Sequence, residues 1–281
     1  ITAYENGNIS KSERWTFRAD GKVEKSVLNE YYPDGKVKLT RNWYFTNGDL
    51  TTGDDVRFDT NGVVTSTAKF KYQGGNETYS NRTYVDAAGK IQSTEVTNSS
   101  KGVVTSKEVN KFAPAGYCES ITKTYYDVNT KLIVKENVDE YDANKKLTAN
   151  SITGYENGKI SRSERWTFAT NGKVEKSVLN IYYPDGKVKS TRNWFFTNGN
   201  LAYGDDVHFD TKGNKVKTGN YKYQGGNTTY EEISYYDINT KLIVKKTVDE
   251  YNVNKMLTAN SITVYENGNI SKSERWTFRA D

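Results

Sequence analysis

Cysteine is almost absent: Cys118 stands alone, so no disulfide forms within the chain and a disulfide-stapled scaffold is excluded. Histidine is equally scarce. His208 is the only one, and the matching place in an earlier copy of the same stretch holds Arg57. A catalytic or metal-binding histidine would be needed in both copies, so His208 reads as a solvated strand position. Nowhere do the roughly 18 consecutive apolar residues of a membrane-spanning helix occur. Charge of one sign is missing too. The 40 basic and 35 acidic residues are interspersed, which leaves no basic stripe of the kind that binds nucleic acid. Aliphatic bulk is short as well: hydrophobic residues make up 35% of the chain, against roughly 45–50% in ordinary globular domains. A thick, dry, two-layer core is therefore hard to build. No signal peptide is visible and Met256 is the sole methionine, which reads as an excerpt of a longer protein.

Aromatic residues are plentiful. Twenty-two Tyr, ten Phe and five Trp are spread along the chain, and this excludes the disorder that so polar a composition would otherwise suggest. The rings recur because the sequence repeats. Residues 1–20, 152–171 and 262–281 are three versions of one stretch, and the first and third differ only at Ala3 and Val264. Long repeats follow at 1–151, 152–261 and 262–281, the last a beginning only. Beneath them runs a shorter period. From Tyr4 to Phe278 an aromatic followed by a turn recurs about every 13.7 residues. The first long repeat holds about eleven such intervals and the second about eight, the difference falling between Gly75 and Tyr125. Loss of whole intervals is what a stack tolerates when each element touches mainly its neighbours.

Each interval reads as one strand and one turn. Asn-Gly pairs at 6–7, 47–48, 61–62, 157–158, 171–172, 198–199 and 267–268, and Asp-Gly pairs at 20–21, 34–35 and 185–186, predict tight type I′ hairpins. The intervening ten or so residues are rich in Thr, Val, Tyr, Trp and Phe, which favour strands. The fold class is all-β: an antiparallel meander of about 14-residue strand-turn elements in an extended or coiled sheet, single-layered or wound as a wide shell. Strict alternation places Ile9, Lys11, Glu13, Trp15 and Phe17 on one side, and Val37, Leu39, Arg41, Trp43 and Phe45 likewise. Charge at mid-strand on these faces argues against a tight sandwich, because a buried unpaired Lys or Arg costs several kcal/mol.

The recurring core, Tyr4-Glu5-Asn6-Gly7-Asn8-Ile9, Tyr32-Pro33-Asp34-Gly35-Lys36-Val37 and Tyr155-Glu156-Asn157-Gly158-Lys159-Ile160, resembles the YENGK-type hairpins of bacterial MORN-variant repeat proteins. With Phe58-Asp59-Thr60-Asn61-Gly62 and Tyr126-Asp127 it also resembles YD/Rhs repeats, a likeness that implies a sheet wound into a shell. Rhs repeats are usually longer and richer in Arg and Leu. Neither resemblance implies a catalytic residue.

Two sets of residues stand out as candidate sites. Trp15, Trp43, Trp166, Trp194 and Trp276 recur in register and form a ladder on which sugars could stack; the competing reading makes them the core. Asp54, Asp55 and Asp59 recur as Asp205, Asp206 and Asp210, a carboxylate set that could take calcium, against a reading as turn and edge charge. Cys118 has no signalled base and reads as a packed thiol. The acids repeat with the scaffold, whereas an active site would break the repeat, so the chain is expected not to be an enzyme. The sequence points to a structural segment of a bacterial extracellular or cell-surface fibre, stalk or hook-like filament that self-associates. The alternatives are a glycan-binding adhesin module and a shell enclosing a toxin.

Overall fold

A computed structural model describes residues 1–279 and contains strands and turns only. The chain forms two compact units, residues 1–145 and 146–281. The first unit holds β1 (Thr2–Glu5), β2 (Asn8–Phe17), β3 (Val23–Tyr31), β4 (Val37–Thr46), β5 (Asp49–Phe58), β6 (Val64–Gln73), β7 (Asn76–Val85), β8 (Ile91–Ser100), β9 (Val103–Phe112), β10 (Cys118–Tyr126) and β11 (Ile133–Tyr141). The second holds β12 (Leu147–Glu156), β13 (Lys159–Phe168), β14 (Val174–Tyr182), β15 (Val188–Thr197), β16 (Asn200–Phe209), β17 (Lys215–Gln224), β18 (Asn227–Tyr236), β19 (Ile243–Tyr251), β20 (Leu257–Glu266) and β21 (Asn269–Thr277). Within each unit every strand pairs antiparallel with the next in the chain and packs substantially against no other. Each unit is thus a meander, and among the described residues the first and last strands of neither unit pair with each other. The all-β meander expected from the turns is what forms.

The turns are of two kinds. Two-residue loops with positive φ at both positions close eight hairpins, among them Asn6-Gly7, Asn47-Gly48, Gly74-Gly75 and Lys101-Gly102. These are the type I′ loops that match strand twist. The Asp-Gly pairs, and Asn61-Gly62 and Asn171-Gly172, correct the expectation of type I′ throughout. They lie in longer loops where only the glycine has positive φ. At residues 18–22 the Gly21 N–H donates to the Arg18 carbonyl at 3.0 Å and the Arg18 N–H to the Lys22 carbonyl at 2.9 Å. That is a type I turn followed by a left-handed glycine. The Asp20 carboxylate accepts the Lys22 N–H at 3.0 Å, so the acid serves the loop with its side chain rather than with its own backbone angle.

Strict alternation also fails, for one repeated reason. Every hairpin with a recorded register shifts it by one residue near its turn: Tyr4 pairs with Ile9 but Ala3 with Lys11, and Tyr31 pairs with Val37 but Glu30 with Leu39. A bulge of this kind turns the strand over relative to its first residue. Ile9 and Val37 are thereby separated from the faces of Trp15 and Trp43 on which simple alternation had placed them. Beyond the bulge the alternation holds.

The core lies within the sheet. Among the described residues buried apolar side chains are few, Leu28, Leu39, Phe70, Ile233 and four alanines, and buried Ser26, Asp55, Ser66, Thr124, Ser177, Asp206 and Ser234 are almost as many. What stabilises so thin a structure is the hydrogen-bond ladder and the cross-strand pairs on its faces, each pair contributing about 0.2–1 kcal/mol.

Candidate functional site

The registers arrange the tryptophans of the first unit in a row across the strands. Trp15 faces Ser26, Ser26 faces Trp43, Trp43 faces Gly53, Gly53 faces Phe70 and Phe70 faces Ser80. Large and small residues alternate from strand to strand. The second unit repeats the row as Trp166, Ser177, Trp194, Gly204 and Tyr221. Trp15 and Trp166 each also meet a ring two strands away that lies outside the row: Trp15 and Phe45 lie 6.0 Å apart, Trp166 and Phe196 5.9 Å. Ser26 and Ser177 are completely covered. At Gly53 a Cβ would come within 2.9 Å of the Asn42 carbonyl, so no larger residue fits beneath Trp43 without a shift. Trp43, Trp166 and Trp194 are half-buried in this row. Trp15 and Trp276 are about 40% exposed, the first beside the four-residue β1 and the second on β21, which pairs on one side only.

The row beside it holds the buried acids. Asp55 is 1% exposed and sits between Arg41 on β4 and Arg82 on β7. Arg82 grips it with two nitrogens at 2.9 Å each, and Arg41 Nη2 donates at 2.9 Å. The guanidinium groups lie 5.5 and 5.9 Å from the Phe70 ring centre. Burial alone would raise the Asp55 pKa; the hydrogen bonds from Arg82 and then Arg41 outweigh it and hold the carboxyl below its usual range.

Asp206 occupies the matching place in the second unit, also 1% exposed. Its Oδ2 accepts from Arg192 Nη2 at 2.9 Å and from the Tyr221 hydroxyl at 3.0 Å, with His208 Nε2 3.4 Å away. The outcome is again a lowered pKa, burial opposing the Arg192 and Tyr221 bonds. The Tyr221 hydroxyl pays for that position with a strongly raised pKa, from burial first and Asp206 second. His208 is half-buried beside this carboxylate rather than solvated.

The six aspartates considered for calcium are not gathered. Asp54 and Asp55 are neighbours on a strand and project from opposite faces. Asp54 accepts from Asn42 Nδ2 at 2.6 Å, and Asp205 from Asn193 Nδ2 at 2.7 Å. Asp59 and Asp210 lie in turns and accept loop N–H groups at 2.8–2.9 Å. Among the described residues no group of three or more His, Cys, Asp or Glu side chains converges on a metal position. Cys118 is half-covered, its thiol donating to the Ser120 carbonyl at 3.4 Å, and burial raises its pKa. A thiol so placed is a poor nucleophile.

The opposite face carries a feature absent from the sequence-based expectations. Another cross-strand row reads Lys25, Tyr44, Thr52, Lys71 and Tyr79. Lys25 Nζ lies 5.2 Å from the Tyr44 ring centre and Lys71 Nζ 5.3 Å from that of Tyr79. Between the two rings, over Thr52, runs a shallow groove of about 420 Å³ with Asp54, Lys69 and Asn81 along one side. Burial and the neighbouring Asp54 raise the Tyr44 pKa. In the second unit the row reads Lys176, Phe195, Tyr203, Lys222 and Tyr230. There Tyr203 replaces Thr52, and its ring stacks on Phe195 with centres 4.5 Å apart and planes 13° apart. The signal for this groove lay in the two copies DLTTGDDVRF and NLAYGDDVHF, which differ at four positions, one of them Thr52 against Tyr203.

No family model matches the chain, and no curated protein resembles it in sequence. Among solved structures, one of Staphylococcus aureus TarM in complex with fondaparinux, α-GlcNAc-glycerol and UDP aligns over 38% of this chain and 19% of its own, at 18% identity and a TM-score of 0.23. The Photorhabdus luminescens Tc holotoxin pore aligns over 99% of this chain and 19% of its own, at 11% identity and a TM-score of 0.17. A porin-like protein from Bacteroides uniformis aligns over 78% and 90%, at 10% identity and a TM-score of 0.19. The chain thus spans about a fifth of the first two. Scores this low carry no argument about the fold or the function of this chain.

Proposed function

We propose that the chain is a structural repeat segment of a long bacterial extracellular or cell-surface fibre or stalk, with no catalytic activity of its own. The observation that carries this reading is the confinement of each strand's contacts to its chain neighbours. A fold held together this way has no central core to limit its size, so copies are added or lost without rebuilding what remains. The near-identity of residues 1–20 and 262–281 fits such use. The role is mechanical: a hydrogen-bonded sheet spans distance and the number of repeats sets the reach. Self-association of such segments gives the larger assembly.

Small-angle X-ray scattering of chains carrying one, two and three long repeats tests the reading. The maximum dimension should rise in proportion to the number of strands. A radius of gyration growing only as roughly the 0.38 power of length, as compact domains do, overturns it.

A further inference from the structure

We propose that the groove between Tyr44 and Tyr79 on the first unit is a subsite for an acidic saccharide, one whose sugar ring has a flat, apolar face and carries a carboxylate. Three observations lead there. First, the second unit shows what shape the place accepts. Tyr203 fills the equivalent position with a six-membered ring stacked on Phe195, so a flat ring over Thr52 and against Tyr44 meets the same geometry. Second, the groove's edge is polar. Thr52 supplies a hydroxyl, Asp54 a carboxylate, and Lys69 and Lys71 two ammonium groups. A phenol has one hydroxyl to offer such an edge. A pyranose with equatorial hydroxyls offers several while keeping its C–H face for the aromatic wall, which is the usual division of labour in a ligand groove. Third, the charge is unbalanced. Lys25 stands over Tyr44 and Lys69 and Lys71 line the groove, where Asp54 is the one acidic residue among the described lining residues. A carboxylate on the sugar completes that balance.

In the second unit the position of Lys69 is held by Asn220, while the ring of Tyr203 fills the gap. One unit therefore presents an open site and the other a closed, less cationic copy of it. The inference is independent of the fibre reading, since a fibre segment need not hold sugar and a sugar subsite need not lie on a fibre.

The reciprocal exchange of the two residues tests it. The chain is titrated with a hyaluronan hexasaccharide, which alternates a uronate with an N-acetylated sugar, and with neutral cellohexaose. Tyrosine ring signals are followed by NMR, and sedimentation velocity is run alongside. The hyaluronan oligomer should bind at one site, more tightly than cellohexaose, and more weakly as salt rises. Thr52→Tyr, which installs the residue native to the second unit, should weaken binding at least about tenfold with an unchanged melting temperature. Tyr203→Thr should open a second, weaker site. Absence of shifts with either oligomer overturns the proposal, as does binding indifferent to Thr52→Tyr. If Thr52→Tyr alters the sedimentation coefficient and leaves sugar binding untouched, the groove belongs to a protein contact and the proposal falls.

Discussion

Asp55 and Asp206 are the same residue twice, equally buried, and their surroundings solve one problem by different means. In the first unit two guanidinium groups share the carboxylate, and both oxygens are satisfied. In the second unit the place of Arg82 is held by Ile233, because β18 begins like β7 but ends like β10. The lost donor is replaced by one hydroxyl, Tyr221 standing where the first unit has Phe70. Room for that hydroxyl comes from Gly219 in place of Ala68: a Cβ there would lie 2.7 Å from Asp206 Oδ1 and closer still to the Tyr221 oxygen. The replacement is incomplete. Oδ1 of Asp206 has no hydrogen-bond partner among the described residues. A buried acid in a thin sheet is thus held by whichever donors its row can supply, and a change at one position is tolerated when two neighbours change with it.

The sharpest way to separate the two solutions is to remove the acid. Asp55→Ala leaves Arg41 and Arg82 facing each other and should cost about 3–5 kcal/mol. Asp206→Ala leaves one guanidinium, that of Arg192, which is 44% exposed and able to reach water, along with the neutral Tyr221 hydroxyl, so its cost should be smaller. Amide hydrogen exchange in β4–β7 and β15–β18 reads the two losses separately. Equal losses in both places would end the distinction.

Acid should act on both units in the same sense. Each carboxyl has a folded pKa below its unfolded value near 3.8. Each therefore contributes stability that is complete above that value and is lost as pH falls through the lower folded one. The melting temperature should hold between pH 7 and 5 and drop below about pH 4. A melting temperature flat from pH 5 to pH 2 contradicts this.

Smaller effects should follow from the compensating residues. Tyr221→Phe, which restores the ring of the first unit, should cost the second about 1.5–3 kcal/mol, the usual worth of a hydrogen bond to a charged group. Phe70→Tyr should gain the first unit nothing, because Arg82 and Ala68 already occupy the space; a stabilised variant by urea unfolding would show otherwise. The smallest effect concerns the turns. Lys101 adopts φ 50° where equivalent hairpins use Asn47 or Gly74. Lys101→Asn should raise stability by about 0.5–1 kcal/mol, since Asn tolerates the left-handed region better. A lowered melting temperature would mean that Lys101 makes a compensating contact.

The strands and their order were legible because Asn-Gly and Asp-Gly pairs mark turns whatever surrounds them. The loop type at Asp20-Gly21 was not, because it depends on how many residues separate the last paired positions, and the bulges set that number. The same bulges hid the faces: one unpaired residue is enough to move Ile9 away from Trp15. The tryptophans were visible as a register, but their small partners Ser26, Gly53, Ser177 and Gly204 were not, since a serine or glycine signals nothing until the strand beside it is placed. Arg82 was illegible as a partner of Asp55 for a related reason. They lie 27 positions apart with the whole of β6 between them, and only the register joins them.

Trp166 and Trp276 hold matching places eight strands apart and fall in one row, through Tyr221, Glu231, Asp249 and Asn260. The number eight has a consequence of symmetry. In an antiparallel meander a repeat with an even count of strands maps onto the next by translation and twist, so strand direction, order of travel and outward normal are all kept. An odd count reverses strand direction while order of travel is kept, and a rotation that does both must also invert the normal. An array of even repeats therefore shows one surface everywhere, whereas odd repeats show their matching surfaces alternately on opposite sides. The parity of the strand count, altered by an excision such as the four strands β7–β10 reduced to the single strand β18, decides whether such an array is one-sided or two-sided.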